Sequence, residues 1–240
     1  MTILSIETAT KRMGVAIVDG GQLLSSYELL ADYPHAVELP GAVTRCLAAA
    51  RLPLAALDGI AIDIGPGSFT GLRIGLAFAK ALAFASKKPL TGVASLDALA
   101  AGVPFAEGLV CPVLDARQQN VYVARYHMEQ GQPKRVSAYL LGRLEDLVPE
   151  LKEPVVLLGD GCAVYREQLL ARCPKARIAA PEFWLPAAAT VARLGQVRLA
   201  KGELDDPAKL TPLYLYPLDC SVRGPDRQTA VLPAKVVSAA

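Results

Sequence analysis

The order of segments in the first hundred residues is repeated in the next hundred, and this duplication constrains the fold more than any single motif. Residues 2–7, TILSIE, form a short apolar run ending in Glu7. MGVAIVDGGQLLSSYEL follows, with Asp19-Gly20-Gly21 between two apolar runs, which signals a hairpin. HAVELPGAVTRCLAAARL reads as a helix with Pro40 near its start. LDGIAIDI reads as a buried strand, residues 70–86 as a helix, PLTGV as a strand and SLDALAAG as a short helix. From residue 109 the pattern restarts. LVCPVLD is an apolar run ending in Asp115, NVYVARYHM an alternating strand, GQ a turn and KRVSAYL a third strand. A helix near 142–149, the strand PVVLLG and the helices AVYREQLLARC and AAATVARLGQVRLAKG complete the second half. Seven residues separate Glu7 from Gly14, and seven separate Asp115 from Tyr122. Residue identity between the halves is slight, so the repeat is one of architecture. From about residue 217 there is no periodicity, and the tail is expected to be irregular and mobile.

Two three-stranded sheets with crossover helices, each with an acid ending its first strand, describe an α/β chain of duplicated ββαβα-type subdomains. This resembles the actin-like nucleotidases, the ASKHA group of RNase H-like folds. The expected division is residues 1–105, carrying the helices that bind a partner, and 106–240 with the tail. In that superfamily the two acids face each other across a cleft and handle metal-bound phosphates, work suited to carboxylates because Mg²⁺ takes hard oxygen ligands. The turn after Glu7, ETATKRMG, supplies Thr8 and Thr10 but no glycine until Gly14. The second turn, DARQQN, carries bulky Arg117 where a phosphate would need room. Glu7, Thr8, Asp115 and Arg117 therefore read as a degenerate nucleotide cleft rather than a competent ATPase, or as acids that simply cap hairpin turns. LLGDG at 157–161 falls where an adenosine-contacting turn would fall, a weak signal on its own.

GPGSFTGLRIG, residues 65–75, has the look of a phosphate loop but not the spacing. Counting from Gly65, Thr70 stands where a Walker loop has its second glycine, and Leu72 rather than Lys follows Gly71. The dinucleotide pattern fails because the third glycine comes one residue late and no acid follows in KPLTG. An anion site at the helix N-terminus stays open. Gly-x-Ser-x-Gly is absent too, so Ser68 or Thr70 reads as an N-cap rather than a nucleophile. In the helix itself Gly71, Gly75, Ala79 and Ala83 recur every four residues as a smooth stripe, while Leu72, Ile74, Leu76, Phe78, Leu82 and Phe84 cover the other faces. A helix apolar nearly all round is buried on more than one side. The stripe can admit a second helix, the protein's own or a partner's. On the partner reading the interface comprises His35, Leu39 and Val43 of the first helix with Gly71, Leu72, Gly75, Leu76 and Ala79. Gly75→Leu is then expected to abolish pairing in a folded chain.

Composition narrows the function. Lys plus Arg less Asp plus Glu is 25 − 23 = +2, which gives no basic footprint for charge-driven nucleic-acid binding. No run reaches about 18 uninterrupted apolar residues, and no secretion signal opens the chain, so no membrane association is expected. Five dispersed cysteines without a Cys-x-x-Cys pair read as reduced thiols in a cytoplasmic protein. Only His35 and His127 are present, with no His-Glu-x-x-His motif, so no metal, cofactor or catalytic residue is assigned.

ILSIETAT, GPGSFTGLRIG and VLDARQQNVYVARY, in that order over residues 2–216, resemble the TsaB (YeaZ) family. The late PLYLYP resembles that family's terminal strand, with Tyr216 where arginine is common. The resemblance implies a non-catalytic, activating paralogue of TsaD. TsaD transfers a threonylcarbamoyl group to adenosine 37 of ANN-decoding tRNAs and holds its metal with paired helix histidines, of which this chain has His35 alone. It further implies a heterodimer with TsaD through the N-terminal helices, TsaE in a larger complex, a homodimer when alone, and tRNA met only indirectly. The alternatives are an actin-like ATP-dependent small-molecule kinase and a plain homodimeric structural protein.

Overall fold

In the computed structural model, residues 1–30, 35–148 and 153–216 are described. The proposed mobile tail from 217, and the end of the helix expected at 142–149, lie outside them. The chain divides into two units, Met1–Ala98 with Leu185–Leu213, and Leu99–Trp184 with Tyr214–Ala240.

In the first unit, the strands β1 (Thr2–Glu7), β2 (Arg12–Asp19) and β3 (Gln22–Leu30) form an antiparallel meander. The helix α1 (His35–Ala50) follows, then β4 (Gly59–Gly65), α2 (Phe69–Ser86), β5 (Leu90–Ala94) and α3 (Ser95–Ala101). β4 pairs in parallel with β1 and with β5, giving the order β3-β2-β1-β4-β5. The hairpin expected at Asp19-Gly20-Gly21 is present, with both glycines at positive φ. Alternation along β1 sends Leu4 and Ile6 to one face, where they pack with Leu39, Val43, Leu76 and Ala79 of α1 and α2. Ile3 goes to the other face with Val191, Ala192 and Leu199.

Those last residues lie on α7 (Ala188–Ala200), which sequence order had assigned to the second subdomain. The reason for the correction is the sheet. Its parallel strands are buried on both faces and need a helix on each. α1 and α2 cover one face, so α7 returns to cover the other. Ser5 Oγ donates to Ala188 O at 2.6 Å, and a Cβ on Gly195 would stand 2.4 Å from Ala61 Cβ. The expected boundary at 105/106 is therefore replaced by a discontinuous first unit.

The second unit repeats the order. β6 (Gly108–Asp115) pairs antiparallel with β7 (Asn120–Val123) and β8 (Tyr126–Glu129). β9 (Gln132–Arg135) pairs with β8, and β10 (Leu140–Arg143) with β7. α4 (Leu144–Leu147), β11 (Val155–Leu158), α5 (Gly161–Val164), α6 (Arg166–Arg172) and β12 (Ala176–Ile178) follow. The order β10-β7-β6-β11-β12, with β6, β11 and β12 parallel, matches the first sheet strand for strand, and both units carry the actin-like arrangement. NVYVARYHM is broken where Arg125 N–H leaves the ladder for Ser137 Oγ at 2.9 Å. KRVSAYL is likewise divided between β9 and β10, so the third-strand position falls to residues 140–143 and the helix starts at Leu144. AVYREQLLARC forms two short helices rather than one. Glu7 faces Gly14 across its hairpin, whereas Asp115 faces Val121, one residue short of the spacing read from sequence.

Candidate functional site

Each sheet ends its first strand in an acid, and each acid is held by its own unit. Glu7 is fully buried. Its Oε1 accepts the Ala9 N–H at 2.9 Å and the Thr10 hydroxyl at 3.4 Å. Beside it, on β4, stands a second buried acid that the sequence reading passed over, Asp63. β1 and β4 run parallel with Ile6 opposite Ile62, so the next residue of each strand is Glu7 and Asp63. Asp63 Oδ1 accepts the Gly65 N–H at 2.8 Å and the Ser95 hydroxyl at 2.6 Å. The two remaining oxygens, Glu7 Oε2 and Asp63 Oδ2, are buried with no other donor. Burial and, next, the adjacent Asp63 charge push the Glu7 carboxyl well above the usual carboxylate range, while burial raises Asp63. One signal was available in the sequence: Asp63, an acid inside the apolar run GIAIDI, must be neutralised or paired.

In the second unit, Asp115 Oδ1 accepts the Arg117 N–H at 3.0 Å and the Tyr165 hydroxyl at 3.3 Å, and Oδ2 lies 3.4 Å from Arg117 Nη1. The Asp115 N–H donates to Asp160 Oδ1 at 2.9 Å. Burial first, then the Asp115 charge, pushes the Tyr165 hydroxyl up to about 12. Arg117, Gln118 and Gln119 all adopt positive φ, 66°, 50° and 62°, so the turn is a left-handed run of non-glycine residues with exposed side chains.

The glycines that suggest nucleotide binding are occupied by the chain's own backbone. A Cβ on Gly67 would stand 2.2 Å from Ala9 O, and the Ser68 N–H donates to that same oxygen at 2.6 Å. Ser68 also caps α2 as read from the sequence, its Oγ accepting the Gly71 N–H at 3.2 Å. In LLGDG, Gly159 has φ +105°, and a Cβ there would meet Val113 O at 2.2 Å. The residues present do not fit a metal-bound nucleotide: Glu7 is sealed against Asp63, Asp115 is engaged by Arg117 and Tyr165, and both glycine turns are filled. Among the described residues no three His, Cys, Asp or Glu side chains form a metal-binding group.

The family model for TsaD, tRNA N6-adenosine threonylcarbamoyltransferase, matches residues 29–207. The tRNA threonylcarbamoyladenosine biosynthesis protein TsaB of Bacillus subtilis is 33% identical over 172 residues, 70% of this chain and 75% of that protein. The protein of the same name from Haemophilus influenzae is 26% identical over 227 residues, 90% of this chain and 93% of the relative. The chain belongs to the TsaB (YeaZ) family. YeaZ from Pseudomonas aeruginosa superposes with a TM-score of 0.80 at 30% identity, covering 89% of this chain and 99% of that one.

For this TsaB-family chain the structure reverses the direction of the smooth helical stripe. Gly71, Leu72, Gly75, Leu76 and Ala79 are buried inside their own unit, as are Leu39 and Val43 of α1. A Cβ on Gly71 would stand 2.0 Å from Thr8 O, and one on Gly75 would stand 2.0 Å from Thr8 Oγ1. The stripe exists so that the turn after β1 can sit on α2, where the Thr8 hydroxyl donates to Gly71 O at 2.9 Å. These seven residues cannot be the contact surface of a partner. Of the eight, His35 at the start of α1 is half-buried, and Leu39, Val43, Leu72, Leu76 and Ala79 are no more than 5% exposed. At 100° per residue the opposite side of α2 carries Phe69, Arg73, Ala77, Ala81 and Phe84, all exposed. Phe84 is 86% exposed, Phe69 55%, and Val37 on α1 71%. α2 has the length and composition to cross a bilayer, but here its apolarity serves two sides, one laid on the sheet and one facing out.

Proposed function

We propose that the chain is a non-catalytic activating subunit for N6-threonylcarbamoylation of adenosine 37 in ANN-decoding tRNAs, working as a heterodimer with TsaD that TsaE joins. Membership of the TsaB family supports the pathway, since its relatives are named for tRNA threonylcarbamoyladenosine biosynthesis. The observation that carries the non-catalytic reading is Glu7. The acid at the end of the first strand is fully buried beside Asp63, and its Oε1 is taken by Ala9 and Thr10 of the turn that follows it. The contact surface assigned to TsaD is the outward side of α1 and α2, with Val37, Phe69 and Phe84 in place of the buried stripe. Large apolar side chains at such exposure are the usual anchors of an interface.

The test is a drop-out reconstitution. Matching TsaC, TsaD and TsaE are mixed with ATP, threonine, bicarbonate and unmodified tRNA, with and without this chain, and threonylcarbamoyladenosine is measured by mass spectrometry. Modification is expected only with the chain present, retained with Asp115→Ala and lost with Phe84→Glu at unchanged melting temperature. Modification that does not depend on the chain would remove the role and return the kinase reading.

A further inference from the structure

Three segments meet at the Glu7–Asp63 pair. The turn after β1 is tied to Glu7 through Ala9 and Thr10. The start of the glycine loop and the start of α3 are tied to Asp63 through Gly65 and Ser95. The turn so fixed lies directly on the first turn of α2, through Thr8 Oγ1 to Gly71 O at 2.9 Å and Ser68 N to Ala9 O at 2.6 Å. We propose that Glu7 Oε2 and Asp63 Oδ2 share one proton, and that this proton is the latch holding the β1–β2 turn against the glycine loop and the N-terminus of α2.

The surroundings exclude the doubly ionised pair. The turn after β1 offers Thr8, Ala9 and Thr10, the loop Gly65 and Pro66, and β5 Val93 and Ala94. α3 adds Ser95 and Asp97, and Asp97 is a further acid that disfavours charge on Asp63. Arg12, at the start of β2, points its guanidinium to Glu28 at 3.6 Å and Leu185 O at 3.3 Å. Two adjacent buried carboxylates with no cation are strongly unfavourable, and one proton converts them into an acid donating to a carboxylate. A divalent cation in the same place would need about six oxygen ligands. Here the other oxygen of each carboxyl already takes N–H and O–H donors, whose positive ends oppose a cation. In this chain the first acid of the fold has thus become a structural joint.

The direction with pH follows. The folded chain holds the proton, and the unfolded chain releases it above the ordinary carboxylate range, about 4–4.5. The folding constant therefore falls as pH rises above that range, by up to about tenfold per pH unit, until the pair itself ionises. Beyond that point the turn loses its joint and the first turn of α2 loosens.

The test uses the full chain, Glu7→Gln, which keeps an N–H donor toward Asp63, and Asp63→Asn. In the wild type at neutral pH an infrared C=O stretch of a protonated carboxyl is expected above the amide I band. It should shift on ¹³C-glutamate labelling and vanish in Glu7→Gln. The pH dependence of the folding constant should be shallower in Glu7→Gln by about tenfold per pH unit. Hydrogen exchange at 65–71 should accelerate at alkaline pH beyond intrinsic base catalysis in the wild type only. Absence of the infrared band together with equal pH slopes overturns the proposal. So does a melting temperature that rises on adding Mg²⁺ or Ca²⁺, which would make the pair a cation site. If neither variant folds, the labelled wild-type spectrum decides alone.

Discussion

Gly75→Ala tests which way the small-residue stripe faces. The new Cβ would stand 2.0 Å from Thr8 Oγ1, well inside van der Waals contact, with Thr8 Cβ at 3.2 Å and Ile62 Cδ1 at 3.3 Å behind it. The threonine must rotate and give up its hydrogen bond to Gly71 O, a loss of ~0.5–1.5 kcal/mol. Overpacking the seam adds ~1–3 kcal/mol. Replacing an interior helical glycine returns ~0.5–1 kcal/mol. The net cost centres near 2 kcal/mol, or roughly 4–8 °C in melting temperature for a chain of this size. Thr8→Ala alone should cost about 1 kcal/mol, since only the hydroxyl bond is removed. In the double variant the short contact is gone and the alanine meets only the contacts beyond 3 Å, so Gly75→Ala should become nearly neutral. Urea unfolding followed by circular dichroism, at constant slope, would give a coupling energy of ~1–3 kcal/mol. Gly71→Ala has no such rescue, because its clash at 2.0 Å is with the Thr8 carbonyl oxygen. Additive costs in the cycle, or a Gly75→Ala chain as stable as wild type that fails to bind TsaD, would refute the packing assignment and restore the stripe to a partner.

Burial first, and then a neighbouring thiol, pushes the Cys111 and Cys162 thiols up to about 12. Negligible thiolate therefore exists at pH 8, and both should escape iodoacetamide in the native chain and label only on unfolding, as read by peptide mass spectrometry. Asp115→Ala removes a charge that holds the Tyr165 hydroxyl up, so its ionisation should move down from about 12 toward the ordinary tyrosine value, measured by tyrosinate absorbance. Neither the wild type nor this variant is expected to hydrolyse ATP. Turnover that disappears on Asp115→Ala would show that the second acid is a working one.

The duplication, the order of elements along the first half and the N-cap at Ser68 were legible because each depends on local signals: strand-length apolar runs, Asp-Gly turns and a hydroxyl ahead of a helix. The three-stranded sheets expected are sheets of five and seven strands. What failed depended on direction or on distant sequence. Periodicity located the stripe at Gly71 and Gly75 but could not say which side of a two-sided apolar helix lies inward. The choice was made by Thr8, some sixty residues away in sequence. α7 was assigned by chain order, whereas the open face of the first sheet decided its place. The strand NVYVARYHM alternates without interruption, and the Ser137 hydroxyl and Val136 N–H, reached after a further hairpin, divert Arg125 from the ladder. Asp63 was visible as an acid in an apolar strand, but the parallel register that sets it beside Glu7 requires the fold.

The two halves close their glycine turns in the same manner. Gly67, after β4, is covered by Ala9 O, and Gly159, after β11, by Val113 O, each oxygen 2.2 Å from where a Cβ would stand. Any side chain there would push the first strand of the unit, or the turn after it, away from its neighbour, so glycine is required for packing and needs no ligand to account for it. The same economy holds for the acids. Glu7 is engaged by Ala9, Thr10 and Asp63, and Asp115 by Arg117 and Tyr165. In each unit the acid that ends the first strand and the glycine turn beside it are used to hold that unit together. The conspicuous unspent feature of the first unit is the outward side of α1 and α2. There Phe84 and Val37 remain exposed at a free-energy cost that binding would recover, about 25 cal/mol per Å² of apolar surface removed from water. A substitution that makes this surface polar should therefore raise solubility in the isolated chain, at unchanged melting temperature, while lowering its activity in the reconstituted system. Substitutions at the acids should change stability and its pH dependence while leaving activity, wherever the chain still folds, nearly intact.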